Sequence, residues 1–489
     1  MSRILRLVRR LLALLAIAIV GALLTWAFLS RHQPPLQPWH REAPAREWRA
    51  DDIGPDTTLS DYMAREDEIL REVQQRVEQR LDASQRVSAN RYFAGSPMNP
   101  ASFKGQNWNK TFELAPSKIR GGALLVHGMS DSPYSMRALA RICEQEGFYA
   151  LAMRMPGHGT VPAGLERANW HDWTAAVRLG VRHVRQTIGD GKPIVLVGYS
   201  NGGALVLNYA IDAIESGGLP RPDRLILVSP MIGVTPFASL SRVLPVLSGI
   251  PYFDRSAWTT VAVEYNPFKY NSFPANGGLQ SHLVTRALDR GLTRLAANGR
   301  LRELPPVLTF QSSVDATVLT DAVVTRLYDR LEPNGSELVM FDLHRREVLR
   351  AFMRPEALNL FKNLFHGQPR PYRVSVVTNA TPDGFEVAEK DVSPGQREIV
   401  SRDLGLSWPV GVYSLSHVAL PFRLDDPLYG LDPDPRESYG IRLGLVRARG
   451  ERGVMTISAD DIMRLGSNPF FPYLEERTRE WLTGAVERR

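Results

Sequence analysis

A single serine sits at the apex of Gly198-Tyr199-Ser200-Asn201-Gly202. The apolar run Pro193-Ile194-Val195-Leu196-Val197 precedes it, and the helix-like run Ala204-Leu205-Val206-Leu207-Asn208-Tyr209-Ala210 follows. A strand, a sharp turn and a helix would lift the hydroxyl clear of a sheet, where a base and a substrate can reach it. Glycine at both ends suits a turn too tight for side chains. The chemistry implied is nucleophilic attack, with Ser200 as nucleophile. A plain glycine-rich turn is the competing reading, and the strand-before, helix-after setting favours the nucleophile.

A serine hydroxyl needs a base, and the base needs a group to orient it. Asp315 ends the apolar run P-V-L-T-F-Q-S-S-V-D and is the expected acid. The alternative for Asp315, a helix cap, is better filled by Asp321. Three histidines follow Asp315: His344, His366 and His417. His417 lies in the extended apolar run G-V-Y-S-L-S-H-V-A-L-P-F and is the preferred base. His344 is the alternative base, although D-L-H-R-R-E-V-L-R reads as a helix start capped by Asp342. His366 precedes Gly367 at a helix end, where a histidine often serves only the helix dipole. Backbone amides must hold the oxyanion formed in acyl transfer. The amide of Asn201, next after the serine, is one expected donor, and that of Met129, in the loop after L-L-V-H-G, is the other. His127 is expected to brace that loop.

The elements that must position these residues are legible from periodicity. From Gly121 short apolar runs alternate with helical stretches: G-A-L-L-V-H-G, Y-A-L-A-M-R-M, P-I-V-L-V-G and R-L-I-L-V-S-P, with helices near 133–146, 172–188 and 203–216. Such alternation predicts an α/β architecture with a mostly parallel sheet and helices on both faces. Segment 231–304 interrupts the pattern for longer than an ordinary connection. It is rich in aromatics, among them Phe237, Trp258, Phe268 and Tyr270, and reads as an inserted lid. The expected organisation is core halves at 121–230 and 305–430, an insertion near 367–412 with one strand-like run, and a C-terminal segment 431–489. Upstream, 31–120 reads as a linker followed by a strong helix at 60–82, with 90–120 irregular.

Arg3, Arg6, Arg9 and Arg10 precede an uncharged stretch, Leu11 to Leu29. At about 1.5 Å per residue this stretch spans a bilayer core of about 30 Å. The charge asymmetry predicts a single-pass anchor in the cytoplasmic membrane, with residues 1–30 as basic end and anchor and the body outside the cytoplasm. A signal peptide is the competing reading, and the exit T-W-A-F-L-S offers no clear cleavage site. The net charge of +7 owes much to these arginines, and no long basic run follows, so nucleic-acid binding is not indicated. The lone Cys143 reads as a small core residue.

The ordered segments L-L-V-H-G-M (124–129), M-P-G-H-G (155–159), G-Y-S-N-G-G (198–203) and S-V-D-A-T-V (313–318) resemble the α/β-hydrolase superfamily, in its bacterial carboxylesterase and monoacylglycerol-lipase-like branch. The resemblance covers about 121–230 and 305–345. It implies an α/β-hydrolase fold with Ser200 as nucleophile, Asp315 as acid, and the Met129 and Asn201 amides as oxyanion donors. No metal or organic cofactor is implied. Many members carry the histidine soon after the last strand, behind a glycine, and this chain has no Gly-His there. With His417 as base, residues 345–412 become a late insertion. The expected function is a membrane-anchored serine hydrolase acting on a small-molecule acyl ester or lipid. An acyltransferase or peptidase using the same triad, and a non-catalytic envelope scaffold, are the alternatives.

Overall fold

The computed structural model describes residues 2–30, 32, 34–103, 105–233, 251–313, 315, 317–344, 365, 368–382, 384–409, 415–444 and 467–487. Twelve strands are present among them: β1 (Phe112–Leu114), β2 (Gly121–Val126), β3 (Phe148–Met153), β4 (Ile194–Tyr199), β5 (Arg224–Val228), β6 (Trp258–Thr260), β7 (Phe273–Pro274), β8 (Val307–Ser312), β9 (Glu337–Phe341), β10 (Arg373–Asn379), β11 (Glu386–Val392) and β12 (Val400–Ser407). Ten of them form one sheet in the order β1-β3-β2-β4-β5-β8-β9-β10-β11-β12, and β6 and β7 pair separately. The ladder from β3 to β10 is parallel, and β1, β11 and β12 add antiparallel margins.

Alternate strand residues point to opposite faces, and here each face has its own core. Leu124, Val126, Leu196, Leu225 and Leu227 face one cluster, shared with the helices Trp170–Ile188, Asn201–Ser216 and Ala275–Ala297. Their neighbours Ala123, Leu125, Val195, Val197, Ile226 and Val228 face the other, shared with the helices Arg137–Gln145 and Phe471–Glu487. A strand buried on both faces must be apolar throughout, which is why these runs do not alternate in hydropathy. Helix ends follow local chemistry. The Asn169 side chain accepts from the His171 amide at 3.0 Å to start one helix, and Gly217, with φ +68°, stops the helix after Ser200 in the left-handed region.

Four expectations change. The stretch 31–58 is no free linker: Trp39, His40, Glu42, Ala43, Glu47 and Trp48 are buried. Trp48 stacks on Tyr62 of the helix Leu59–Gln79, with centroids 5.2 Å apart and planes at 9°. The irregular stretch 90–120 contains β1. Within 231–304, the helix Ala275–Ala297 connects β5 to β8 across one sheet face and buries Val284, Leu288, Leu292 and Leu295 in its core, so that part is crossover and not lid. The expected insertion near 367–412 supplies three strands that widen the sheet, because β10 pairs in parallel with β9. The lid residues 234–250, Phe237 included, lie outside the described residues.

Among the described residues one apolar helix, Ile4–Thr25, is long enough to cross a membrane, as a signal sequence near an N-terminus also is.

Candidate active site

β4 ends at Tyr199 and a helix begins at Asn201, so Ser200 alone makes the turn. It adopts φ 52° and ψ −115°, a conformation that side chains rarely take. The flanking glycines are required by crowding. A Cβ on Gly198 would stand 2.6 Å from the Gly202 carbonyl, and one on Gly202 would stand 2.0 Å from the Val126 oxygen. The turn is held by the Ser200 amide donating to Val228 O (2.9 Å) and by the Met231 amide donating to Ser200 O (2.9 Å).

Asp315 follows β8, and its side chain is fully buried. His417 Nδ1 lies 2.7 Å from Asp315 Oδ2. Gln311 Nε2 donates to the same oxygen at 3.2 Å, and the Thr317 and Val318 amides donate to Oδ1 at 2.8 and 3.0 Å. Burial opposes the charge on Asp315, yet the adjacent imidazole and these donors outweigh it and hold the carboxyl below its ordinary range. The amide bonds to Asp315 replace the expected cap: the helical turn starts at Thr320, and Asp321 sits inside it.

His417 opens a short helical turn, His417–Ala419, whose Ala419 amide donates to Ser416 Oγ at 3.2 Å. Two strand ends fix this loop. Ser312 Oγ donates to Leu415 O at 2.9 Å, and the Tyr199 hydroxyl reaches His417 O at 3.4 Å. The Tyr199 and His417 rings are 5.2 Å apart, which places the imidazole beside the serine turn. His344 is elsewhere. Its Nε2 lies 3.1 Å from Gly384 O, and its ring stacks on Trp408 at 5.4 Å and 5°. His366 lies outside the described residues.

Asn201 is the first residue of its helix, where an amide has no intrahelical acceptor. Met129 follows Gly128, whose ideal Cβ position lies 3.1 Å from Ser200 Cβ. The loop holding Met129 is braced from both sides. His127 Nε2 accepts the Met155 amide at 3.0 Å, so its Nδ1 carries the proton and donates to Gly128 O at 2.8 Å. Burial, then the neighbouring His158 ring, push His127 well below the usual histidine range, which keeps it neutral. On the other side Ser130, at φ 60°, accepts the Tyr270 amide on its carbonyl at 2.7 Å.

Two residues escaped the sequence reading. Asp131 is buried two positions past Met129, and burial pushes its carboxyl up to about 6 against the pull of Lys269. Asp426 accepts the Tyr134 hydroxyl at 2.7 Å and the Leu428 and Tyr429 amides at 3.0 and 2.8 Å, which ties the loop after His417 to the turn after Met129. M-S-D-S offered a signal for the first, a carboxylate between serines beside an oxyanion loop. Nothing local marked the second, whose partner is 292 positions away. Cys143 is buried in a core with its thiol pushed up to about 12, as an inert packing residue. Among the described residues no group of side chains could hold a metal ion.

A model described as "Alpha/beta hydrolase family" matches residues 123–358. A thermostable monoacylglycerol lipase of Bacillus sp. (strain H-257) is 39% identical over 89 residues, which are 18% of this chain and 34% of that enzyme. The chain thus spans about a third of the length of this curated relative. Among solved structures, one of the metagenome-derived lipolytic enzymes LipS and LipT is similar at 19% identity, with a TM-score of 0.39 over 49% of this chain and 90% of the other. The monoacylglycerol lipase of Paleococcus ferrophilus is similar at 18% identity, with a TM-score of 0.35 over 47% of this chain and 86% of that one. The sheet order and the serine turn at the end of β4, with the family match over 123–358, make the fold that of an α/β-hydrolase, and an 89-residue stretch is similar to a monoacylglycerol lipase.

Proposed function

We propose that the protein is a serine hydrolase that cleaves carboxylic esters of lipid-like acyl chains through an acyl-enzyme. The observation that carries this reading is the 2.7 Å contact of His417 Nδ1 with buried Asp315, placed beside the strained turn at Ser200. Asp315 accepts a hydrogen bond from the protonated Nδ1 and so leaves Nε2 unprotonated. Nε2 takes the Ser200 proton as Oγ attacks the ester carbonyl. The Met129 and Asn201 amides receive the oxyanion. The imidazolium then protonates the leaving alcohol, and water, activated by the same nitrogen, releases the acid. The residues named suffice for each proton transfer, and no cofactor enters.

The similarity to a monoacylglycerol lipase supports a lipid ester as substrate. The apolar Ile4–Thr25 helix supports anchoring in the cytoplasmic membrane, and the arginines at its N-terminal end support a body outside the cytoplasm. Labelling by a fluorophosphonate tests the nucleophile: the wild type is expected to label and Ser200→Ala is not. Undiminished labelling of that variant would overturn the assignment. A reporter fused to the C-terminus tests topology, and cytoplasmic reporter activity would contradict it.

A further inference from the structure

A cavity lies away from the serine. The helices Trp170–Ile188, Asn201–Ser216 and Ala275–Ala297, with residues 50–55, line an open cavity of about 860 Å³. None of Ser200, Asp315, His417 and Met129 lines it. Asn208, which does, stands eight residues beyond Ser200, about 12 Å along the helix axis. Ile53, Ile211 and Leu219 make an apolar wall continuous with the core beneath.

The rim is cationic. Arg182 donates to the Gly54 and Thr57 carbonyls at 3.1 and 2.6 Å, and Arg290 donates to its own helix at Arg286 O at 3.3 Å. Among the described residues neither guanidinium is in an ion pair. Two more arginines line the cavity and are neutralised: Arg178 by Asp212, itself in the wall, at 2.7 Å, and Arg294 by Glu215 at 2.8 Å. The wall therefore keeps two uncompensated positive charges above an apolar floor. Guanidinium groups match the planar geometry of carboxylate and the oxygens of phosphate. The volume falls within the range of about 300–1,000 Å³ typical of sites for one small ligand.

We propose that this cavity binds a single-chain anionic amphiphile, its acid group between Arg182 and Arg290 and its chain along Ile53, Ile211 and Leu219. The binding does not depend on Ser200, and its test is separate from that of the proposed activity. The full-length Ser200→Ala protein is photolabelled with a diazirine-bearing long-chain carboxylic acid, and the adducts are mapped by mass spectrometry. Adducts are expected in 50–55, 208–220 and 287–294. Labelling there should fall at least tenfold for the long-chain alcohol of equal length and for Arg182→Gln/Arg290→Gln. Ala287→Trp, which fills the cavity, should abolish it, with circular dichroism melting to show that each variant is folded. A lysophosphatidate probe distinguishes a phosphate head from a carboxylate, and arginine-dependent labelling by either supports the site. Equal labelling by acid and alcohol, adducts only around 127–135, or undiminished labelling of folded variants would overturn it.

Discussion

Two of the buried charge clusters among the described residues differ in what their partners can do, and only one of them belongs to the proposed site. At the strand ends, Asp315 meets the Nδ1 of His417, the proposed base, at 2.7 Å. Under the sheet edge, Arg154 is fully buried between two carboxylates of the N-terminal region. Its two terminal nitrogens reach Glu47 at 2.9 and 3.0 Å, and its Nε lies 3.3 Å from Glu66. Thr111 donates to Glu66 from its amide and hydroxyl at 2.7 and 2.8 Å, and Arg154 also donates to His158 O at 2.9 Å. Burial opposes charge on both carboxylates. It prevails at Glu66, which is pushed up, while the doubly bonded guanidinium prevails at Glu47, which is held down. The lesson is that burial of charge marks clamps and sites alike. What separates them is the partner: an arginine stays protonated throughout, whereas an imidazole exchanges its proton near neutrality.

The contrast can be broken from either side. The largest effect is expected from Asp315→Asn, which leaves the imidazole in the wrong tautomer. Ester turnover should drop by about 10³–10⁴-fold while circular dichroism stays native. A loss under tenfold would mean that Asp315 does not orient the base. Glu47→Ala should act the opposite way. Removing one partner of a buried pair costs about 3–5 kcal/mol, so urea unfolding should shift strongly and activity should follow the folded fraction. Native stability with lost turnover would make the cluster part of the site.

Acid should weaken the clamp side next. Burial holds His40 down at about 3 and His158 at about 4, and pushes His127 well down. An unfolded histidine protonates near 6.5. The stability tied to each neutral ring is therefore complete above about 6.5 and is lost as pH falls toward the folded values. Asp131, raised to about 6, works in the other direction, since its strain is relieved below that pH. The three rings each contribute a loss of roughly 1.4 kcal/mol per pH unit between about pH 6.5 and 4, which the raised carboxyls of Asp131, Glu66, Glu166, Glu264 and Asp426 oppose in part. A flat or rising unfolding midpoint over that interval would count against neutral buried rings. The smallest effect is expected from His344→Phe, which keeps the stacking on Trp408. Fluorophosphonate labelling should be unchanged within twofold, and a large loss would return His344 to candidacy as base.

Much of the fold was readable because local rules and tertiary environment agree. Strands β2, β4 and β5 are uniformly apolar since both faces are covered, and the helices beside them carry apolar stripes. The regions misread are those where composition and packing diverge. Residues 31–58 look polar and proline-rich, yet they bury Trp39, Glu47 and Trp48 against partners far along the chain. The lid expectation mistook a crossover for a cover at 275–297, because a helix that follows an irregular stretch gives no sign of which strands it joins.

By itself the sequence determined the serine turn. Gly198, Ser200 and Gly202 are dictated by contacts within a few residues and with the adjacent strand, so their pattern is local and survives in one dimension. Only the tertiary structure decided which histidine meets Asp315. The two lie 102 positions apart, and their 2.7 Å contact depends on Ser312 and Tyr199 holding the loop at 415–417. His344, closer in sequence, is turned away because β9 delivers it to Gly384 and Trp408 instead. A hydrogen bond is sensitive to tenths of an ångström, and that precision comes from the sheet as a whole, which no local pattern encodes.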